Sequence, residues 1–318
     1  MKMGTLLTRC VFGLSVIVAT SAARALYVNE TWSGSTDPAG WSIHTYNGGG
    51  HTTPGTELTG ATADAYRYST ADHMQMTTPA TYQRTTAIYT AQTFNTASSF
   101  SFTCDYYIGG GTGADGLAFF WLDKDFIDDN TLDVGTISGG YGEWIGVPHG
   151  NNPTDSVGYY ANIAGYSFEF DHYNNSGEGS FQEYTHFVDT STWDHAPAVA
   201  AADYGSDSDF YYNNGWQRVS FEFDADAQTF SYYLEILDGS GEPTGTTTSV
   251  TNFTVAELGP SWYETFDQAY FGIGASTGGA YAEHSIRNLT VVPEPTSALL
   301  LALATGAALG RRRRRRAA

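Results

Sequence analysis

Short runs of apolar and aromatic residues, alternating or unbroken, recur along this chain with Gly, Asn, Asp and Thr between them. They cover residues 85–94, 99–108, 117–122, 166–173, 218–224, 229–237, 269–275 and 285–292. A strand turns successive side chains to opposite faces, so such runs mark sheets with at least one buried face. No segment between residues 26 and 292 sustains a 3.6-residue period. The pattern therefore predicts an all-β sandwich or barrel rather than an α/β fold. Residues 218–224 and 229–237, separated by 225–228, predict a hairpin. Neither a short repeat nor a biased linker divides the stretch, so residues 26–292 are read as one domain.

The ends have a different character. Lys2 and Arg9 precede an apolar run from Val11 to Ala19, and Ala23–Arg24–Ala25 has the small-x-small form of a cleavage site. Residues 1–25 are read as an export leader, with a mature start near Leu26. At the other end Val292–Pro293–Glu294–Pro295 leads into an apolar stretch from about Ser297 to Gly310, followed by Arg311 to Arg316. The stretch is short for a bilayer crossing, which needs about 20 residues. The arginines read as a cytoplasmic stop. A nucleic-acid reading of the arginine run conflicts with export, so no nucleic-acid partner is expected. Pro-Glu-Pro, an apolar segment and terminal arginines, in that order, resemble the bacterial PEP-CTERM sorting signal over residues 293–318. That resemblance implies transient recognition by an exosortase-type protease, membrane contact only through the uncleaved tail, and delivery to the cell surface or extracellular matrix.

Removing both ends changes the charge balance. The whole chain carries −20, but nine of its fourteen basic residues lie in the two end segments, against one of its thirty-four acids. Residues 26–292 keep five basic and thirty-three acidic side chains, a net charge of −28. Such a surface disfavours polyanions and membranes of like sign, and suits neutral sugars in a calcium-containing medium. Cys10 lies in the leader and Cys104 stands alone in the rest. No internal disulfide is available, so the fold rests on its core, with any metal as support.

Chemistry concentrates in Ser167–Phe168–Glu169–Phe170–Asp171–His172–Tyr173–Asn174–Asn175, followed by His186. Extended, this segment turns Phe168 and Phe170 to a core and sets Glu169, Asp171 and Tyr173 on the other face, about 6–7 Å apart in succession. Two carboxylates at that spacing can share one cation or a pair. With Asn175 and His186 nearby, oxygen ligands and an imidazole come together, a set suited to Ca2+ beside a transition ion such as Mn2+. Taken alone, Glu169 and Asp171 also read as solvent-facing residues of a half-exposed strand.

Three further segments extend the pattern. Gly113–Ala114–Asp115–Gly116–Leu117–Ala118–Phe119–Phe120 resembles the A-D-G-L-A-F-F segment of legume-type (L-type) lectins. Phe168 to Asn175 with His186 resembles their V-E-F-D-T-Y-x-N…H metal segment. Phe271 to Gly279, with Tyr281–Ala282–Glu283–His284, resembles G-F-S-A-A-T-G-x-x-x-E-H, and Trp216–Gln217–Arg218–Val219 resembles the W-x-x-V strand. The four occur in family order between about Ser99 and Val292, whereas residues 26–93 match poorly.

The resemblance implies a concanavalin-like jelly-roll β-sandwich of two antiparallel sheets, with a shallow sugar site at one end and a cis peptide at Ala114–Asp115. Carried over by position, Asp115 accepts hydrogen bonds from two sugar hydroxyls. Asn175 binds a hydroxyl through its amide while its carbonyl faces calcium, and backbone amides of Gly279 and Ala280 complete the cradle. Tyr173 is either a carbonyl ligand of calcium or an aromatic face for the sugar, and Gly140, with Gly139, supplies a glycine loop. Glu169, Asp171 and His186 would hold the transition ion, with Asp171 and Asn175 on calcium. The family's second bridging aspartate is absent, since Gly179–Ser180–Phe181 stands there, and Glu178 or Glu183 is the available substitute. The partner expected is a saccharide or extracellular polysaccharide.

The chain is read as a binder rather than an enzyme. A glycoside hydrolase on this fold needs an E-x-D-x-x-E strand, and Asn174 stands where the proton-donating acid belongs. The other alternative is a matrix protein that keeps the sandwich and binds nothing. Among the remaining side chains, His284 is read as structural. His44, His51, His73, His149, His172 and His195 are read as exposed. Asp123, Asp125, Asp128 and Asp129, like Asp203, Asp207 and Asp209, are read as solvated loops.

Overall fold

The computed structural model describes residues 28–48, 55–70, 72–148, 163–173, 184–191, 194–195, 202–203, 215–258 and 264–293. The segments read as a leader (1–25) and, from Glu294 on, as a sorting tail lie outside the described residues, as do His51, His149, Asn174, Asn175, Glu178, Glu183, Asp207 and Asp209. The described residues form sixteen strands and two short α-helices.

The strands are β1 (Val28–Glu30), β2 (Trp41–Asn47), β3 (Thr56–Leu58), β4 (Met74–Thr77), β5 (Gln83–Phe94), β6 (Phe100–Gly109), β7 (Gly116–Asp123) and β8 (Gly165–Asp171). They continue with β9 (Tyr184–Asp189), β10 (Asp194–His195), β11 (Ala202–Asp203), β12 (Trp216–Asp224), β13 (Thr229–Leu237), β14 (Pro243–Thr254), β15 (Ala269–Ser276) and β16 (Glu283–Pro293). Helix α1 spans Gly60–Arg67 and α2 spans Lys124–Asp129. One sheet runs β1-β16-β6-β12-β13-β14, with β4 also paired to β16, and holds seven strands. The other holds nine, in the order β10-β9-β8-β7-β15-β5-β2-β3, with β11 also paired to β9. Every pairing among these strands is antiparallel. The expected hairpin is β12 and β13, in register from Gln217 opposite Ile236 to Asp224 opposite Thr229.

The main core lies between the two sheets, where inward residues from both interdigitate. Phe102, Phe221 and Phe230 of the seven-stranded sheet meet Phe119, Phe168, Phe187 and Phe271 of the nine-stranded sheet. Cys104 is buried among them as a free thiol. The nine-stranded sheet also buries its other face. There Ile88, Ala118, Phe120, Leu122 and Tyr270 pack under Ile127, Ile137, Ile145 and Val147, which belong to a segment crossing over the sheet.

That cover approaches the sheet through glycines. An added Cβ on Gly274 would lie 2.7 Å from Gly146 C and O and from Ile145 O, backbone atoms with no side chain to swing aside. Gly146 itself has φ +71°, the left-handed region that favours glycine. Hydroxyls fasten the contact. Thr86 Oγ1 accepts from Gly139 N–H (2.7 Å) and donates to Gly146 O (2.7 Å), and Ser276 Oγ donates to Gly142 O (2.9 Å). Gly274→Ala is expected to lower stability by about 1–3 kcal/mol through overpacking, as measured by urea denaturation. A midpoint unchanged from wild type would contradict this packing account.

Candidate functional site

Register brings three distant segments to one end of the nine-stranded sheet. Gly116, the first residue of β7, pairs with Asp171 on β8 and with Ser276 on β15. Asp115, one residue earlier, therefore stands beside the ends of both neighbours. The Ala114–Asp115 peptide is cis, as the resemblance implied. Asp115 N–H donates to Ser276 O (3.0 Å), and Asp115 O accepts from His172 N–H (2.8 Å). The residue is only 4% exposed. Gly278 lies against its carboxylate, and a Cβ there would stand 2.9 Å from Oδ2 and 3.4 Å from Gly142 Cα.

Gly278 was not singled out in the sequence, where Gly279 and Ala280 were. The structure places Gly279 in the open, where an added Cβ would meet only the Tyr82 hydroxyl, at 3.9 Å, and leaves Ala280 half-buried. Residues 80–83 fasten this loop. Thr277 N–H donates to Gln83 O (2.8 Å), Thr277 Oγ1 accepts from Gln83 N–H (2.9 Å) and donates to Ala80 O (2.8 Å), and Tyr82 N–H donates to Gly278 O (3.1 Å). Gly140 is buried within the cover, where its N–H donates to Val147 O (3.4 Å) and its carbonyl accepts from Gly146 N–H (3.1 Å).

Strand β8 supplies the carboxylate pair. Phe168 and Phe170 enter the main core, so alternation turns Glu169 and Asp171 to the opposite face. They are 0% and 1% exposed, which overturns the solvent-facing reading. Ser167 Oγ donates to Glu169 Oε1, and Tyr173 N–H donates to Asp171 Oδ1 (2.9 Å). His186 occupies the position on β9 directly opposite Glu169. Tyr173 is 43% exposed at the end of the strand.

Among the described residues no group of three or more His, Cys, Asp or Glu side chains is gathered as a metal site. Asn175 and Glu183 lie outside those residues, and for His186 only the strand position is described. The two buried β8 carboxylates form an all-oxygen donor pair that fits a hard divalent cation. The five basic residues between 26 and 292 are engaged elsewhere. Arg67 pairs with Asp37 (2.7 Å), Arg218 and Arg287 with Asp105 (2.6 and 3.6 Å) and Lys124 with Asp128, while Arg84 lies between two tyrosine rings.

Two readings of the histidines and acids change. His172 is buried, not exposed, and burial together with nearby His284 holds its pKa well below the usual imidazole range. The cause is its position directly after β8, where its N–H is tied to Asp115 O. His44 and His73 are partly buried, in contact with Glu57 and Asp72 respectively. The acids after β7 form helix α2 rather than a loop. Asp123 caps it by accepting from Asp125 N–H (3.0 Å), and Lys124 pairs with Asp128 one turn on. His284 keeps its structural reading: it is buried and bound through Nδ1 to Thr77 Oγ1 (2.6 Å).

No family model matches the sequence, and no curated protein does. Solved structures match along most of the chain. The lectin from Bauhinia forficata in complex with GalNAc is 15% identical, with a TM-score of 0.53 over 84% of this chain and 97% of that one. The basic winged bean lectin with Tn-antigen gives 15%, 0.53, 84% and 98%. The fold is legume lectin-like. The winged bean acidic lectin complexed with methyl-alpha-D-galactose, at 12% identity and a TM-score of 0.52, covers 84% of this chain and 97% of its own. At such identities the similarity speaks for the jelly-roll sandwich alone.

Proposed function

We propose that this chain is an exported saccharide-binding protein whose site lies around Asp115 at the end of the nine-stranded sheet. The observation that carries the reading is the Asp115 carboxylate, set beside Gly278, on the residue just before Gly116, the strand partner of Asp171 on β8. An ionised carboxylate only accepts hydrogen bonds, and neighbouring sugar hydroxyls offer two donors at the spacing of its oxygens. Glycine at 278 and 279 lets a ring come close to the backbone. Structures with this fold hold GalNAc and methyl-alpha-D-galactose, which supports a saccharide as the class of ligand.

Around Asp115 the reading assigns the Asn175 amide and the backbone of Gly279 and Ala280 to the sugar, whereas Gly140, whose N–H and carbonyl are both bonded within the cover, shapes the wall behind the site. Tyr173 contributes either its ring to the sugar or its carbonyl to calcium. Asp171 and Asn175 would hold Ca2+, and Glu169, Asp171 and His186, with Glu183 in place of the absent aspartate, a transition ion such as Mn2+. A bound cation supplies positive charge that offsets the buried carboxylates and fixes the loop ends. The leader and the tail support export, processing by an exosortase-type protease and residence at the cell surface or in a polysaccharide matrix.

Calorimetric titration of galactose, GalNAc, mannose and matrix polysaccharide in calcium is expected to give saturable heat with at least one of them. EDTA is expected to weaken that binding about tenfold or more. Silence with every saccharide would leave the non-binding matrix protein, and slow release of reducing ends would favour the hydrolase despite Asn174.

A further inference from the structure

Arg84, on β5, is a cation buried to 1% exposure inside an acidic protein. Its guanidinium lies between two aromatic rings, 4.3 Å from the centroid of Tyr46 and 4.3 Å from that of Tyr141. The two tyrosines come from different layers. Tyr46 is the neighbour of Arg84 on β2, and Ser276 its neighbour on β15, so these three share one row of the sheet. Tyr141 belongs to the segment that crosses over the sheet. At its far end the Tyr141 hydroxyl donates to Gly48 O (3.2 Å) and accepts from Gly55 N–H (3.1 Å).

The segment gripped in this way carries little side chain of its own near the site. Tyr141 stands between Gly140 and Gly142, and Gly142 Cα lies 3.4 Å from the Cβ position of Gly278, the residue against the Asp115 carboxylate. A glycine-flanked segment has large conformational freedom, and something must hold it. A planar guanidinium can stack on two aromatic faces at once, which the compact ammonium of lysine cannot do, and burial strengthens the attraction.

We propose that Arg84 is a positioning residue: stacked between Tyr46 and Tyr141, it locks the 139–147 cover to the sheet and so sets the wall that faces Gly278 and Asp115. The effect on ligand rests on the saccharide reading, whereas the clamp itself does not.

Hydrogen exchange on the full chain without ligand tests the clamp, because amides 139, 140, 145, 146 and 147 are all hydrogen-bonded in the cover. In Arg84→Met they are expected to exchange about tenfold faster or more, while β6 and β12 in the other sheet keep their rates. Arg84→Lys should restore part of the protection. Tyr141→Leu removes one ring, leaves Arg84 in place and should reproduce the acceleration, so it decides the matter where Arg84→Met fails to fold. Unchanged exchange over 139–147 in soluble Tyr141→Leu, or equal acceleration through both sheets, overturns the clamp. Saccharide titration of the same samples is expected to show about tenfold weaker binding in the variants. Equal affinity in wild type and variants overturns the positioning role. A wild type that binds no saccharide overturns the functional reading, and the exchange data still decide the clamp.

Discussion

Asp115→Ala is expected to weaken saccharide binding by about a hundredfold or more while leaving the fold intact. A hydrogen bond to a charged acceptor contributes about 1.5–3 kcal/mol, and two are lost together, so the loss is about 3 kcal/mol at the low end. The backbone bonds of this residue, to Ser276 O and from His172 N–H, do not depend on its side chain. Removing a carboxylate that is 4% exposed also removes a desolvation cost. Asp115→Asn should fall between the two, since it keeps the shape and one acceptor but turns a donor towards the second hydroxyl. Calorimetry reads the affinity and urea denaturation the fold. Full affinity in a folded Asp115→Ala protein would put the saccharide site elsewhere.

Acid is expected to unfold the protein partly through His284. Burial lowers the pKa of this imidazole from 6.5 to about 3. The unfolded chain takes up the proton first, at pH 6.5, so falling pH draws the equilibrium towards unfolding. The contribution of neutral His284 is complete above pH 6.5 and disappears as pH falls towards 3. A shift of this size corresponds to roughly 5 kcal/mol. Its neutral tautomer follows from Thr77, whose hydroxyl donates to Ala282 O (2.9 Å) and so accepts from the ring at Nδ1. His284→Asn can supply that donor without a titrating group. Between pH 6.5 and 3 the wild type should therefore lose more stability than the variant. Asp37 and Asp123, whose carboxyls burial raises, act in the opposite direction in both proteins and cancel in the comparison. Parallel stability curves for the two proteins would remove His284 from the account.

The eight apolar-aromatic runs became β5, β6, β7, β8, β12, β13, β15 and β16, most with ends shifted by one or two residues. Each packs inward residues into the main core, and a buried face is what leaves a period of two in a sequence. Strand β14 left no such mark because it is an edge strand of mostly exposed threonines and serines, held by pairing with β13. Helix α1 was equally hidden, since only Ala63 and Arg67 are buried along its length and no apolar stripe forms. In the site, Asp115 and the β8 carboxylates were legible because neighbouring residues in the chain carry the motif. Tyr82 and Arg84 were not. Their positions depend on which residue of β5 lies beside which residue of β15, and register of that kind leaves no local trace.

The bond from Gln83 N–H to Thr277 Oγ1 joins residues 194 apart along the chain. Closing a loop of that length precedes any reward from the contact, so topologies built on such pairings fold slowly. The end of the sandwich that carries Asp115 thus comes into being only when nearly the whole chain has found its place. No fragment ending before β15 contains it, and a single nick that releases β15 would dismantle the proposed site while Asp115, Glu169 and Asp171 all remain on the larger piece.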